Sequence, residues 1–388
     1  MLLAGIFVLL LYGYLGYPLL AGLLAVVAGG ALRRVGPRAD GGEREEAALP
    51  TVSLVILAYN EERDLAGKLE NSLALDYPKD KLEVWVASDG STDGTDEIAR
   101  GFAGRGVRLF RADEHPGKTG TTNRVVEHTT GEVLVFSDAT GQYGADAIRK
   151  LVRNFADPRV GAVTGRVVYD YDERPAAQGF RAYQRWVVFA RQAESVWGTE
   201  TSVSGSICAI RRELFQPIPE HLDFDMAHPL HVALAGRRTV YEAEATSNEE
   251  ARTEARSEFA ARVRMAIFAY SFLPYLVERL PRCRRGTYAF QVLSHKVLRW
   301  VSPFLLMGLL LASGVAVAGG SAAAAVLLAG QLAVYGGAAW AFLRPASPVA
   351  RALGPALFFV TIHLAFAVGF VRFARGERIG GWTTERGA

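Results

Sequence analysis

Carboxylate and amide side chains follow three strand-length apolar runs in this sequence. The runs at residues 52–58, 82–87 and 132–136 end in Tyr-Asn-Glu-Glu, Ser-Asp-Gly-Ser-Thr-Asp and Ser-Asp, respectively. Ligands of an open α/β sheet bind in the crevice at the carboxyl ends of its strands. A carboxylate at such a position is also a hard oxygen ligand suited to Mg²⁺ or Mn²⁺. The pattern predicts a nucleotide site at one edge of a sheet, with Asp138 as a metal ligand.

The segments between these runs have helical patterns. Residues 62–74 follow the first strand, residues 92–102 follow the second with Thr92-Asp93 as an N-cap region, and residues 146–155 follow the third. Residues 160–169 then return as a strand. This alternation is typical of a mainly parallel sheet covered by helices on both faces. We therefore expect an α/β fold built on a Rossmann-like sheet.

The two ends of the chain are much more apolar than its centre. The 388 residues are 50% hydrophobic and only 21% charged, which is too apolar for an ordinary soluble domain. About 20 apolar residues are enough to cross a bilayer. One such stretch lies near the N-terminus, and three lie near the C-terminus: residues 2–29, 297–319, 321–343 and 352–370.

These features predict a catalytic domain tied to a membrane on both sides. The expected parts are an N-terminal transmembrane helix, a polar domain of catalytic size, an interfacial helix region, C-terminal transmembrane helices and a basic tail: residues 1–32, 43–256, 257–290, 295–372 and 373–388. The first stretch is too long for the apolar part of a cleaved signal peptide, and no Lys or Arg precedes it.

Charge around the apolar stretches predicts the orientation of the chain. Arg33, Arg34 and Arg38 follow the first stretch, so the positive-inside rule places the polar domain in the cytoplasm, at the inner membrane. Three later spans would put the C-terminus outside, whereas Arg372 and Arg375 favour the cytoplasm. Either the basic tail is exported against the rule, or one of the four stretches does not cross.

Cysteine content and net charge exclude some classes of protein. Cys208 and Cys283 are the two cysteines, which fits a reduced compartment and predicts neither a disulfide framework nor a zinc site. A net charge of +3 is too small to predict a nucleic-acid partner.

Several motifs in order carry a resemblance to a known family. They are Ala58-Tyr-Asn-Glu-Glu62, Ser88-Asp-Gly-Ser-Thr-Asp93, Gly117-Lys118 with Asn123, Phe136-Ser-Asp-Ala-Thr140, Ser204-Gly-Ser-Ile-Cys-Ala-Ile-Arg-Arg-Glu213 and Asp223-Phe-Asp225. The chain resembles the membrane-bound family 2 glycosyltransferases, which include cellulose, chitin and hyaluronan synthases and many bacterial lipid-linked sugar transferases. The resemblance implies the nucleotide-diphospho-sugar transferase fold and runs from about residue 52 to residue 300.

The resemblance also implies roles on the donor side of the site. Asp89 matches the family carboxylate that contacts the base, and Tyr59 and Glu61 would line the same pocket. Lys118 matches a lysine near the donor phosphates, and Asp138 would hold Mg²⁺ or Mn²⁺. UDP is the usual nucleotide of the family. The chain departs from the family at Thr140, where the family usually has Asp or Asn as a second metal ligand. Asp89 and Asp93 also have an alternative role, in which they cap a turn and a helix.

On the acceptor side, Asp225 matches the family's general base at the start of a helix. It would take the proton of the acceptor hydroxyl, with Asp223 as a rival for this role and an N-cap as the alternative. The acceptor region would comprise Ser204, Gly205, Ser206, Asp223 and His228. The acceptor would be a lipid or a saccharide, and the transfer would be inverting and of hexosyltransferase type.

Residues 258–280 predict an amphipathic helix with basic flanks, either at the membrane surface or facing the core. Arg264 on this helix matches the Arg of the Gln-x-x-Arg-Trp motif of processive relatives and would contact the donor. The Gln and Trp are replaced by Ala261 and Met265, so no aromatic platform is offered to a growing chain. We expect transfer of one or a few sugars, with a processive synthase, a catalytically silent nucleotide-sugar-binding scaffold and a transporter as the alternatives.

Overall fold

The structure is a computed structural model that describes residues 1–32, 48–170, 175–250 and 255–379. Arg33, Arg34 and Arg38, which predicted the orientation, lie outside these ranges, as does the tail after residue 379.

One eight-stranded sheet forms the centre of the polar domain. Its strands are β1 (Val52–Ala58), β2 (Leu82–Ser88), β3 (Val107–Arg111), β4 (Val133–Asp138), β5 (Gln142–Tyr143), β6 (Val160–Asp170), β7 (Cys208–Arg211) and β8 (Arg238–Glu250). Their order is β3-β2-β1-β4-β7-β6-β8-β5. The pairings β1–β2, β1–β4, β2–β3 and β6–β8 are parallel, and those involving β7 or β5 are antiparallel. The sheet is therefore mixed α/β with parallel pairing predominant, as the sequence predicted.

The helices follow the predicted alternation. They are α1 (Leu2–Leu11), α2 (Tyr17–Leu32), α3 (Leu65–Leu73), α4 (Thr95–Gly101), α5 (Gly117–Val126), α6 (Ala147–Arg153), α7 (Pro175–Trp197), α8 (Phe224–Leu234), α9 (Ala255–Arg279), α10 (Gly286–Gln291), α11 (Leu298–Ala318), α12 (Ala322–Leu343), α13 (Pro348–Ala352) and α14 (Gly354–Ala374). Short π-helical turns join α1 to α2 at Tyr12–Gly16 and α10 to α11 at Val292–Val297.

Alternation along β1 explains how the sheet is covered on both faces. Leu54 and Ile56 pack into one hydrophobic cluster together with residues of α3 and α6. Val55 and Leu57 point to the other face and join a second cluster with residues of α8 and α9. All seven residues of β1 are buried. A continuous apolar run is typical of a strand that is covered on both faces.

Four helical segments are long and apolar enough to cross a membrane: Leu2–Gly29, Gly286–Ala318, Ala322–Leu343 and Gly354–Ala374. They match the predicted arrangement of one N-terminal and three C-terminal segments. The first extends through the π-helical turn, where Tyr12 Oη donates to Ser294 Oγ at 2.9 Å. Thus the first and second segments contact each other at their π-helical turns.

The predicted amphipathic helix forms as α9. Val263 and Ile267 pack against Ala365 of α14, and Tyr270 joins the cluster that covers the sheet. A Cβ on Gly369 would lie 2.5 Å from Ala266 Cβ, so α9 and α14 cross closely. These apolar residues of α9 pack against protein, as in the alternative in which the helix faces the core. Contact of the basic flanks with a membrane surface stays a prediction.

Candidate active site

The loops that follow β1 and β2 hold each other in place. Asn60 adopts the left-handed region with φ 54°, which Asn tolerates better than most residues. Its Oδ1 accepts from Thr92 N at 2.8 Å, and Glu61 N donates to Thr95 Oγ1 at 2.8 Å. These bonds fix Tyr59 and Glu61 at the carboxyl edge of the sheet. The helix that follows β1, α3, begins at Leu65 and not at residue 62 as predicted.

Asp89 lies at the end of β2 and is fully buried. Its Oδ1 accepts from Gly117 N at 3.0 Å and from Thr121 Oγ1 at 2.6 Å, so it holds the start of α5. Burial raises the pKa of Asp89. His115 Nδ1 lies 2.9 Å from its Oδ2, and the His115 ring stacks on Tyr59 with 4.1 Å between ring centroids. The predicted contact of Asp89 with a base stays a prediction, and His115 is a neighbour that sequence reasoning missed.

Lys118, Asp138 and Ser206 meet where α5 approaches the end of β4. Lys118 Nζ donates to Asp138 Oδ1 at 2.6 Å, and Ser206 Oγ donates to Asp138 Oδ2 at 2.9 Å. Burial would raise the pKa of Asp138, but the charge of Lys118 and these hydrogen bonds lower it overall. Burial would likewise lower the pKa of Lys118, and the nearby carboxylates raise it overall. Both groups are therefore charged at neutral pH.

Gly205 lies next to both this ion pair and Asp225. A Cβ on Gly205 would lie 2.4 Å from Lys118 Nζ and 3.0 Å from Asp225 Oδ1. Val203 N donates to Asp225 O at 2.8 Å, which fixes the loop before β7 against the start of α8. The antiparallel β4–β7 pair sets Phe136 opposite Cys208, so this loop arrives at the end of β4. The structure thus brings Lys118, Asp138, Gly205 and Asp225 together.

Asp223 and Asp225 have different local roles. Asp223 is the N-cap of α8, because its Oδ1 accepts from Asp225 N at 3.0 Å. The N-cap alternative considered for Asp225 is therefore wrong, and the cap belongs to its neighbour. Asp225 Oδ1 is buried and has no hydrogen-bond partner. Burial, followed by the charges of Asp223 and Asp138, raises the pKa of Asp225 to about 8 against the opposing charge of Lys118.

Two further charged residues lie at this edge and were missed by sequence reasoning. Lys68 of α3 is fully buried, donates to Gly141 O at 2.5 Å, and sits 3.9 Å from the Tyr143 ring centroid. Burial lowers the pKa of Lys68 to about 7, although Asp138 and Glu249 oppose this. Glu249 near the end of β8 has its pKa raised by burial and by the charge of Asp138. The acidic pair that ends the β8 run was the available signal for Glu249.

Carboxylate side chains outnumber lysines in this cluster, which suits a metal ion. Four carboxylates, those of Asp138, Asp223, Asp225 and Glu249, face two lysines, Lys68 and Lys118. Carboxylate oxygens are the ligands that Mg²⁺ and Mn²⁺ prefer. In the described part of the chain, no group of three or more His, Cys, Asp or Glu side chains is arranged to hold a metal ion. A cation here would therefore take its remaining ligands from a bound phosphate-bearing molecule or from water.

Two other predicted site residues lie on α8 and α9. His228 is 2% exposed and packs among Phe136, Phe215 and Phe224. Burial lowers its pKa to about 3. Because this ring lies in the core, His228 does not face an acceptor, contrary to the expectation. Arg264 is partly buried on α9, and its contact with a donor stays a prediction.

Comparisons with known proteins agree with the resemblance. A family model described as glycosyl transferase family 2 matches residues 53–218. The beta-monoglucosyldiacylglycerol synthase of Nostoc sp. is 30% identical over 173 residues, covering 43% of this chain and 37% of that protein. Glycosyltransferase AglE of Haloferax volcanii is 29% identical over 182 residues, covering 45% of this chain and 58% of that protein. The chain thus spans less than two thirds of the length of these relatives.

A solved structure has the same fold. It is the mannosyltransferase PcManGT from Pyrobaculum calidifontis in complex with GDP-Man and Mn²⁺, with a TM-score of 0.70 and 24% sequence identity. The match covers 97% of this chain and 100% of that one. The predicted fold class is therefore confirmed over nearly the whole chain.

Proposed function

We propose that this chain, whose residues 53–218 match a family model described as glycosyl transferase family 2, moves a sugar from a nucleotide diphosphate donor to a membrane-associated lipid or saccharide. The observation that carries the proposal is the arrangement around Gly205. The Lys118 ammonium, a cation suited to a phosphate, and the Asp225 carboxylate, whose Oδ1 has no hydrogen-bond partner, both lie close to one backbone position. A transferase needs a site for the leaving diphosphate next to a base, and these two groups supply both.

In the proposed reaction, Asp225 acts as the general base. The acceptor oxygen attacks the anomeric carbon as its proton passes to Asp225, and the bond to the diphosphate oxygen breaks from the opposite face. The configuration at that carbon is therefore inverted. The raised pKa of Asp225 makes it a better proton acceptor than an ordinary carboxylate, provided that it is deprotonated.

Lys118 and Asp138 would serve the leaving diphosphate. Lys118 Nζ can exchange its contact with Asp138 for a phosphate oxygen, which leaves Asp138 available to Mg²⁺ or Mn²⁺. Such a cation neutralises the charge that develops on the diphosphate. The carboxylate oxygens at this edge support the cation, because they are the ligands that Mg²⁺ and Mn²⁺ prefer. PcManGT, whose solved complex holds Mn²⁺ and a nucleotide sugar, offers the same fold as a precedent.

The donor pocket would lie along the ends of β1 and β2. Tyr59, stacked on His115, together with Glu61 and Asp89, is assigned to the base and ribose, and UDP is the nucleotide that we test first. Arg264 is assigned to the donor phosphates. Ser204, Gly205, Ser206 and Asp223 are assigned to the acceptor side, beside Asp225.

The acceptor is proposed to come from the membrane. Four apolar helical segments support membrane association, and relatives include glycolipid synthases. We propose an inner-membrane protein with residues 43–256 in the cytoplasm, between the helix of residues 1–32 and the helices of residues 295–372. Residues 257–290 would connect the two parts, and residues 373–388 would form a basic tail.

A panel of labelled nucleotide sugars tests this function. The purified chain, reconstituted in lipid, is incubated with each donor, and nucleotide release and labelled lipid are both measured. We expect one donor class to give lipid product, excess EDTA to abolish the activity, and Mn²⁺ or Mg²⁺ to restore it. Asp80→Asn, far from the site, is the control variant. Full activity in EDTA would reject the metal, and binding of donors without any turnover would favour the silent scaffold.

A further inference from the structure

Glu249 lies on β8, which is distant in sequence from Asp138 but packs against the turn that follows Asp138. The antiparallel register of β5 and β8 pairs Gln142 with Asn248 and Tyr143 with Ser247. Continued by one residue, this register puts Glu249 beside Gly141, which ends the turn that begins at Asp138. Gly141 N donates to Asp138 O at 3.2 Å across this turn.

The turn leaves no space between itself and β8. A Cβ on Gly141 would lie 2.6 Å from Ser247 Oγ and 3.6 Å from both Asp138 O and Glu249 Oε1. The absence of a side chain at Gly141 therefore lets the Glu249 carboxylate approach the turn. Lys68 stabilises the turn by donating a hydrogen bond to Gly141 O.

Glu249 Oε1 is buried and has no hydrogen-bond partner. A buried carboxylate oxygen without a partner is costly, because it loses hydration and gains nothing in return. Glu249 Oε1 and the main-chain oxygen of Asp138 both lie 3.6 Å from the position of a Cβ on Gly141, so Glu249 and Asp138 flank the same turn.

We propose that Glu249 supplies a second protein carboxylate to the divalent cation held by Asp138. This inference rests on the proposed function. Position 140, two residues after Asp138, holds Thr140, which has no carboxylate. The second carboxylate therefore comes from β8. A cation held by both carboxylates would give the buried Oε1 a partner. The remaining ligands come from the donor diphosphate and water, because Mg²⁺ and Mn²⁺ take more than two.

Direct Mn²⁺ binding tests this assignment apart from activity. Free Mn²⁺ is titrated by electron paramagnetic resonance into the full-length protein in detergent, with and without UDP. Removal of a carboxylate ligand is expected to raise the Kd for Mn²⁺ by about 10- to 100-fold in Glu249→Gln and in Asp138→Asn. Glu244→Gln is the matched control, because Glu244 lies on the same strand but pairs with Arg153 at 2.8 Å. Its Kd should equal that of the parent.

Further outcomes separate the inference from the proposed function. Parent-like Mn²⁺ affinity in Glu249→Gln, with sugar transfer intact in the parent, overturns the role of Glu249 and leaves the function standing. A parent that neither binds Mn²⁺ nor transfers sugar overturns the function itself. If Glu249→Gln does not fold, Glu249→Asp is used, and Mn²⁺ should then raise its melting temperature less than it raises that of the parent. An equal rise in melting temperature would reject the proposal.

Discussion

Lys118 Nζ lies 2.6 Å from Asp138 Oδ1, so a cation that suits a phosphate and a carboxylate that suits a metal neutralise each other. Under the proposed function, Lys118 would compete with a divalent cation for this oxygen. Donor binding can resolve this competition, because the diphosphate offers Lys118 another partner.

Lys118→Met should separate these two roles. Without the lysine, Asp138 keeps its hydrogen bond from Ser206 but loses the adjacent positive charge, and Mn²⁺ alone should bind about tenfold more tightly, a change of roughly 1.4 kcal/mol. The KM for the donor should rise by about tenfold or more, because the diphosphate loses its cation. Mn²⁺ titration and initial rates measure the two effects. Lys150→Met, which breaks the surface pair with Asp146, should change neither. Weaker Mn²⁺ binding in Lys118→Met would show that the two cations do not compete.

Asp225→Asn should lower transfer by about 10²- to 10⁴-fold, since a positioned base contributes an effect of this size. Donor affinity should stay near that of the parent, because Lys118 and Asp138, to which the diphosphate is assigned, are unchanged. Product formation and UDP-sugar binding are measured on the same preparation. Asp223→Asn is the matched comparison, because Asn also caps helices well. Near-normal turnover in Asp225→Asn with collapse in Asp223→Asn would move the base to residue 223.

The pH profile of transfer should reflect the same carboxylate. A base must be deprotonated to act, so kcat/KM should rise with pH below the folded pKa of Asp225, about 8, and level off above it. The charge of Asp223 contributes to this raised pKa, so Asp223→Asn should move the midpoint to lower pH. Rates are measured from pH 5 to 9.5 at saturating metal. A profile that is flat between pH 6 and 9 in both proteins would contradict the assignment.

The sequence predicted the strand ends well, and long-range pairing less well. Asp89 and Asp138 were correctly placed at strand ends because each comes one serine after a largely apolar run. Glu249 was missed because its position depends on β8 lying between β6 and β5, which no local pattern specifies. Lys68 was missed because a lysine on a helix normally lies at the surface, whereas here the Gly141 carbonyl and the Tyr143 ring accept it in the core.

Helix ends were also less predictable than helix positions. The capping role fell to Asp223 and not to Asp225, because α8 begins at Phe224. A shift of two residues of this kind is small for the fold. It matters for the chemistry, since it leaves Asp225 Oδ1 without a partner.

Gly205→Ala should impair catalysis far more than folding. Its Cβ would meet Lys118 Nζ at 2.4 Å and Asp225 Oδ1 at 3.0 Å, so both groups must move. We expect transfer to fall by about tenfold or more, since small displacements of reacting groups have large effects on rate. Gly67→Ala is the control, because nothing lies within 4 Å of that Cβ and α3 should gain about 0.5–1 kcal/mol. Parent-like transfer in Gly205→Ala would show that this backbone position does not set the geometry.

Product length depends on whether the site retains the acceptor between transfers. Retention needs a group that binds the end of the product after each addition, and an aromatic face is well suited to a sugar ring. At the position of the tryptophan in processive relatives this chain has Met265, whose side chain is 52% exposed on α9. We therefore expect short lipid-linked products whose length does not increase with excess donor. Size-resolved analysis of labelled product at rising donor concentration measures this.

Met265→Trp should lengthen the products if the aromatic face alone is missing. High-molecular-weight polysaccharide from the unmodified protein would instead indicate that another aromatic residue, such as Trp186 or Trp197, binds the growing chain.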